Sequence, residues 1–217
     1  ANDLTATVVE LRRTNAELEQ SYRDTILRLV TAAEYKDQDT GAHIARIAHY
    51  SALMAQAYGL RHPLVVFIEH ASPMHDVGKI GIPDHVLTKP GKLSAEEYEL
   101  MKTHTTIGSR ILSGSTAPVL RMAEEIARCH HERWDGGGYP QGLSGTEIPI
   151  AARIVNLVDT FDALTSVRPY KSAVPVEVAV GIIRKESGRQ FDPELTELFL
   201  SRLDDIVAIM RREGSGA

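Results

Sequence analysis

Cysteine is nearly missing from this chain: Cys129 is the single copy in 217 residues. No internal disulfide can form, and so small a thiol inventory fits a reducing compartment, with the cytoplasm as the expected setting. Missing too is any apolar run near the roughly 20 residues that a membrane span needs. Residues 1–30 are polar and charged where a secretory signal would carry its apolar block. An excess of positive charge is also absent: the formal net charge of -5 argues against a protein that coats polymeric nucleic acid or an anionic membrane. Strand-length alternation is nearly absent, and there is no internal repeat or low-complexity tract. Helical periodicity runs in their place, so the expected fold is an all-α bundle.

Leu4, Val8, Leu11, Asn15, Leu18, Tyr22, Thr25 and Leu29 are spaced alternately by four and three. This is a coiled-coil seam, and Asn15 at an a position favours a parallel, in-register homodimer through the N-terminal helix. The competing reading packs the same stripe on the chain's own domain. Residues 1–30 are expected to be a helical stalk, 31–210 the main domain and 211–217 a flexible tail. Beginning at Ala1 and ending in Gly214-Ser215-Gly216-Ala217, the chain is expected to be a piece of a longer protein with a domain upstream of the stalk.

Further helices are predicted in order. HIARIAHYSALMAQAYGL is amphipathic and ends at Gly59, and Ser94 with Glu97 forms a capping box that opens a helix running through His104 toward Ile111. Ala117 to His131 forms another, followed by the long turn-rich loop GGGYPQGLSGTEIP. Pro149 starts IAARIVNLVDTFDAL, Pro175 to Glu186 is short, and Asp192-Pro193 caps and starts the last helix.

Nine histidines are present, and His43, His75, His104, His130 and His131 lie in or beside predicted helices next to carboxylates or one another. A lone histidine is more often a hydrogen-bonded core residue than a ligand; five in such company have the composition of a metal site. His49, His62, His70 and His85 lack that company. Asp39 and His43, like His75 and Lys79, are four apart and would share a helical face. Adjacent residues diverge by about 100° on a helix. His75 with Asp76, and His130 with His131, can therefore each reach two different ions, which suggests a multinuclear centre. Asp76 and Asp159 are the carboxylate candidates, with Asp76 the first choice for a bridge. Imidazole and carboxylate without thiolate suit iron, manganese, cobalt or nickel and do not single out zinc. Cys129 is most simply a small core residue.

Four stretches in order, HDVGKIGIP at 75–83, KPGKLSAEEYELMKTH at 89–104, HHERWDGGGYPQGLSG at 130–145 and ARIVNLVDTFDALTSVRPYK at 152–171, resemble the HD-GYP family of the HD phosphohydrolase superfamily. The resemblance covers about residues 31–200. It implies an HD-type helical bundle and hydrolysis of cyclic di-GMP to pGpG, with GMP as a further product left open. The implied metal ligands are His43, His75, Asp76, His104, His130, His131 and Asp159, holding two or three divalent ions, iron or manganese. Asp39 stands where members with three ions carry an acidic residue, usually Glu, four positions before the first histidine.

The same resemblance assigns catalytic roles to Asp76 and Lys79, the lysine beside the attacking water and the phosphate, and a hydroxide bridging two ions as nucleophile. It puts Arg168 and Lys171 on substrate phosphate or guanine, and Asp162 where it anchors or orients substrate. Gly138, Tyr139 and Pro140 would form the substrate mouth, with the preceding glycines turning the chain. Two other functions stay open. One is a receptor that binds the dinucleotide, or a diguanylate cyclase as partner, and scarcely hydrolyses. The other is a phosphodiesterase preferring cyclic GMP-AMP or pGpG.

Overall fold

The computed structural model describes residues 2–34, 41–166 and 173–214. Eleven α-helices lie among them. The first five are α1 (Asn2–Glu34), α2 (Gly41–Ala57), α3 (His62–Ala71), the single turn α4 (Asp84–Leu87) and α5 (Ala95–Lys102). They are followed by α6 (His104–Leu112), α7 (Pro118–Cys129), α8 (Ile150–Thr165), α9 (Val176–Lys185), α10 (Pro193–Ser201) and α11 (Leu203–Gly214). Among the described residues no sheet forms; one isolated bridge pairs Ser187 with Phe191. The all-α bundle expected from periodicity is what forms.

The centre of the bundle is set by α8. Ala151, Ala152, Ile154, Val155, Leu157, Val158, Phe161 and Asp162 are buried around nearly its whole circumference, and a helix apolar all round must be enclosed by others. α2 and α7 pack along it. Tyr50 of α2 and Phe199 of α10 meet Phe161 edge-on, with ring centroids 6.0 and 5.2 Å away, a geometry aromatic pairs prefer. In α7 the buried stripe Val119, Ala123, Ile126, Ala127 follows helical spacing.

Two predicted helices are broken. The Ser94 capping box forms, its hydroxyl accepting from the Glu97 amide at 3.2 Å and its amide donating to Glu97 Oε2 at 2.7 Å. The helix it opens nevertheless stops at Lys102, and His104 begins a new one after the Thr103 joint. Asp192 caps as expected, but the last helical stretch is interrupted at Arg202.

The segment around His75 also departs from expectation. It is not α-helical: the 3-10 turns Ser72–Met74 and Val77–Gly81 meet at His75 and Asp76. Side chains three apart then lie over one another, so Lys79 faces Asp76, Nζ to Oδ2 2.8 Å, in place of the four-residue pairing with His75. Gly78 makes this approach possible, because a Cβ there would lie on the carbonyl oxygen of His104 and the amide of Gly108.

α1 is one continuous helix with two distinct faces. Near its end Val30 and Ala33 are buried, and it packs against both 3-10 turns. The seam residues Val8, Leu11, Leu18, Tyr22 and Leu29 are exposed by 39 to 67%. No described helix is long and apolar enough to cross a membrane.

Candidate metal centre

Donors converge from across the chain. His43 stands on the first turn of α2, His75 and Asp76 where the 3-10 turns meet, and His104 at the start of α6. His130 and His131 follow the end of α7, and Asp159 projects from α8. The ligating atoms of Asp76, His104, His130 and His131 lie within 4.8 Å of one another, as do those of His43, His75 and Asp159. All seven matched ligand positions are thus brought together, in two groups. Asp76 reaches both: Oδ1 lies 3.3 and 3.5 Å from Nε2 of His104 and His130, and Oδ2 lies 3.2 Å from Nε2 of His75.

Each of four imidazoles is aimed by its other nitrogen. Nδ1 of His75 donates to the Ser72 carbonyl at 3.0 Å and that of His104 to the Met101 carbonyl at 2.7 Å. His130 Nδ1 is shared between the Ile126 and Ala127 carbonyls at 3.0 and 3.1 Å. A carbonyl can only accept, so the ring proton sits on Nδ1 and the Nε2 lone pair faces inward. His43 Nδ1 donates likewise to Asp162 Oδ2 at 2.7 Å.

These lone pairs confront one another. His104 Nε2 and His130 Nε2 are 3.4 Å apart, and the buried Asp76 Oδ1 beside them accepts no hydrogen bond. A divalent cation satisfies all three atoms; a neutral occupant would not. The residues therefore fit metal ions on the chemistry of their donors.

Electrostatics agree. Burial lowers the His104 pKa to about 4. Burial, with His130 and His104 nearby, takes His131 well below the usual imidazole value. Both rings are neutral, the ligating form. Burial alone would neutralise Asp76, but Lys79 and His75 outweigh it and hold the carboxyl well below its ordinary range. Burial also opposes protonation of His43, yet the bond to Asp162 and the charge of Asp159 prevail and raise its pKa.

Asp162 is not where substrate orientation would put it. It is fully buried behind His43. Its oxygens take the His43 proton and two bonds from the Arg46 guanidinium, Nε–Oδ1 2.5 Å and Nη2–Oδ2 2.9 Å. Burial would raise its pKa; Arg46 and His43 lower it to about 2. Its two oxygens face His43 and Arg46 and so aim the His43 ring into the donor cluster.

A cavity of about 560 Å³ opens above the centre, with Asp76, Lys79, His104, His131 and Asp159 in its lining. Gly138 and Tyr139 line it too, whereas Pro140 is exposed outside that lining. The Tyr139 ring stacks on His131, centroids 4.8 Å apart and 27° from parallel. Gly138 has to be glycine: a Cβ would collide with the backbone of residues 131–133. Trp134 packs against Arg153, 5.8 Å from guanidinium to ring. Asp39, Arg168 and Lys171 lie outside the described residues.

The pattern did not single out Arg46, Glu132, Asn156 or Gln190. Buried Glu132 accepts from the amides of Gln141 and Leu143 at 2.7 and 3.1 Å, closing the glycine loop. Asn156 donates to the Glu132 carbonyl at 2.7 Å and accepts from Gln190 at 3.0 Å. Helical spacing offered a signal for two of them, since Arg46 and Asn156 each sit three residues from a ligand.

Two histidine–aspartate clusters bridged by Asp76, at the floor of an open cavity in a helical bundle, have the donor set of a metal-binding site. The HD-domain family model matches residues 28–195. The chain belongs to this HD-domain superfamily, in its HD-GYP branch. It is 45% identical over 207 residues to a cyclic di-GMP phosphodiesterase of Thermotoga maritima, covering 94% of this chain and 56% of the relative. It is 43% identical over 202 residues to the 3'3'-cGAMP-specific phosphodiesterase 2 of Vibrio cholerae, covering 93% and 37%. The fold is shared with a crystal structure of a cyclic GMP-AMP specific phosphodiesterase of V. cholerae at TM-score 0.64 and 20% identity, covering 88% of this chain and 52% of that one. The chain spans 37 to 56% of the length of the two relatives matched by sequence.

Proposed function

We propose that the chain is a metal-dependent phosphodiesterase domain that opens cyclic di-GMP to pGpG. The observation that carries this is the convergence of seven ligand atoms in two groups sharing Asp76, on the floor of a cavity of about 560 Å³. Asp76, His104, His130 and His131 would hold one ion, and His43, His75 and Asp159, with the second oxygen of Asp76, the other. When bound, the ions supply Lewis acidity toward the phosphate and lower the pKa of a water.

The chain's own groups do the rest. Lys79, 2.8 Å from Asp76 and in the cavity wall, would donate to a non-bridging phosphate oxygen. The buried Arg46–Asp162 pair holds the His43 proton on Nδ1. Tyr139, stacked on His131, shields that ring from solvent. Arg168 and Lys171 are proposed as further phosphate or guanine contacts. The mixed nitrogen and oxygen donors support iron or manganese, and the buried Cys129 thiol, its pKa raised by burial to about 11, suits packing and not ligation. A third ion through Asp39 belongs to the same proposal.

The test is incubation of the metal-loaded protein with cyclic di-GMP and separation of products by ion-pair chromatography. Formation of pGpG is expected; no turnover with Fe(II) or with Mn(II) defeats the proposal. A second reading, preference for 3'3'-cGAMP, is supported by the 43% identity to the V. cholerae enzyme of that specificity. Rates measured side by side decide between them.

A further inference from the structure

Among the described residues, α5 has a property no other helix of eight or more residues shares: none of its residues is buried. It is held by its ends, through the Lys89–Glu97 ion pair at 2.6 Å and the Thr103 joint into α6. A helix that contributes nothing to the core still carries a tyrosine and a methionine facing the same cavity as the metal centre: Tyr98 and Met101 are in its lining, with Leu87 beside them. Tyr98 is 49% exposed. Burying an aromatic ring is favourable, so an occupant of this cavity would gain by stacking on Tyr98.

The occupant can be specified from the arrangement. Tyr139 is already committed, one face stacked on His131. Tyr98 meets it at 80° with centroids 6.5 Å apart, and Lys102 Nζ lies 5.5 Å from the Tyr98 centroid. Two ring steps thus lead outward from His131 to the half-exposed ring of Tyr98. A phosphate on the ions would place a nucleoside's sugar beside Tyr139 and its base at Tyr98. Across the cavity the lining turns polar, with Arg133, Asn156 and Gln190.

We infer that Tyr98, backed by Met101 and Leu87, is the stacking platform for one purine of a cyclic dinucleotide, and that this end of the site does not distinguish guanine from adenine. The inference rests on the phosphodiesterase reading and deepens it. Every base has a π-face, so an aromatic and aliphatic wall binds purines alike. Discrimination then falls to the polar end, where hydrogen-bonding groups can read a base edge.

The test compares Tyr98→Ala, Tyr98→Phe and the parent, all metal-loaded, on cyclic di-GMP and 3'3'-cGAMP. Loss of one base stack is expected to raise KM on the order of tenfold, equally for both dinucleotides. kcat should fall by less than KM rises, metal content should be unchanged, and Tyr98→Phe should restore KM. An unchanged KM in Tyr98→Ala with an active parent overturns the platform and leaves the phosphodiesterase reading intact. A rise for one dinucleotide alone overturns the claim of indifference. Should the parent bind without cleaving, Kd from equilibrium dialysis replaces KM in the same comparison. Should it neither bind nor cleave, the phosphodiesterase reading falls and the platform with it.

Discussion

Asp162 and His43 are 119 residues apart in sequence and 2.7 Å apart in space, the carboxylate taking the proton of the ring's outer nitrogen. The inner nitrogen is thereby presented toward Asp159, 3.9 Å away. The orientation of His43, a proposed ligand, is thus set by a residue outside both donor groups.

Replacing that carboxylate should weaken one ion selectively. Asp162→Asn removes the charge that holds both His43 and Arg46, and loss of such an outer partner typically costs 10- to 100-fold in metal affinity. Losing the charge paired with buried Arg46 should also lower stability. Metal titration followed by elemental analysis should show one equivalent weakened and the other retained. Equal retention of both would contradict the orienting role.

The contribution of His104 to the stability of the metal-free protein should be lost in acid well before the carboxylates titrate. His104 has a folded pKa of about 4, against about 6.5 for an unfolded imidazole. Between these values the unfolded chain binds a proton that the folded one does not, so stability is intact above about pH 6.5 and declines as pH falls toward 4. The loss from this group is of order 3 kcal/mol. Urea unfolding of chelator-treated protein at pH 7.5 and 4.5 measures it, and His104→Gln should flatten the slope.

Gly78→Ala should be far more damaging than Gly81→Ala. The first methyl lands on the backbone of α6, while the second meets only side-chain atoms of Ile107, at 3.0 Å. Side chains can move and a packed helix backbone cannot, so about 2 kcal/mol or more is expected for the first, and less than about 1 for the second. Thermal unfolding of the pair checks the order, and Gly78→Ala should also bind metal poorly because His75 and Asp76 move with it.

Lys79→Met should retain both ions and lose turnover. Removing one donor to a developing charge typically lowers kcat by 10²- to 10³-fold. Unchanged kcat with full metal content would remove Lys79 from the reaction.

The exposed seam of α1 predicts self-association. The last turns of the helix use Val30 and Ala33 to pack on the domain, which leaves the seam free for a second copy. Sedimentation of the full chain should give a dimer, and removal of residues 1–22, which spares the packed end, should give a monomer. A monomeric full chain would end this expectation.

Much of the site was legible in the linear chain because donor chemistry is a property of residue type. His43, His75, Asp76, His104, His130, His131 and Asp159 could all be named from identity, spacing and motif. Most helices could be placed because a 3.6-residue period and the Ser94 and Asp192 caps are local signals, but α3 (His62–Ala71) was not among them. The 3-10 turns at His75 were not legible, since nothing local reveals that Gly78 must press against the backbone of α6.

The sequence by itself determined the helical class, the donor inventory and the exclusion of disulfides, for these depend on residues and their near neighbours. Only the tertiary structure decided that Asp76 touches both donor groups, that Asp162 serves His43 and not the cavity, and that Tyr98 lines the same cavity as Asp76 and His131. Those facts are contacts between segments far apart in the chain, and they exist only once burial of α8 has drawn the surrounding helices together.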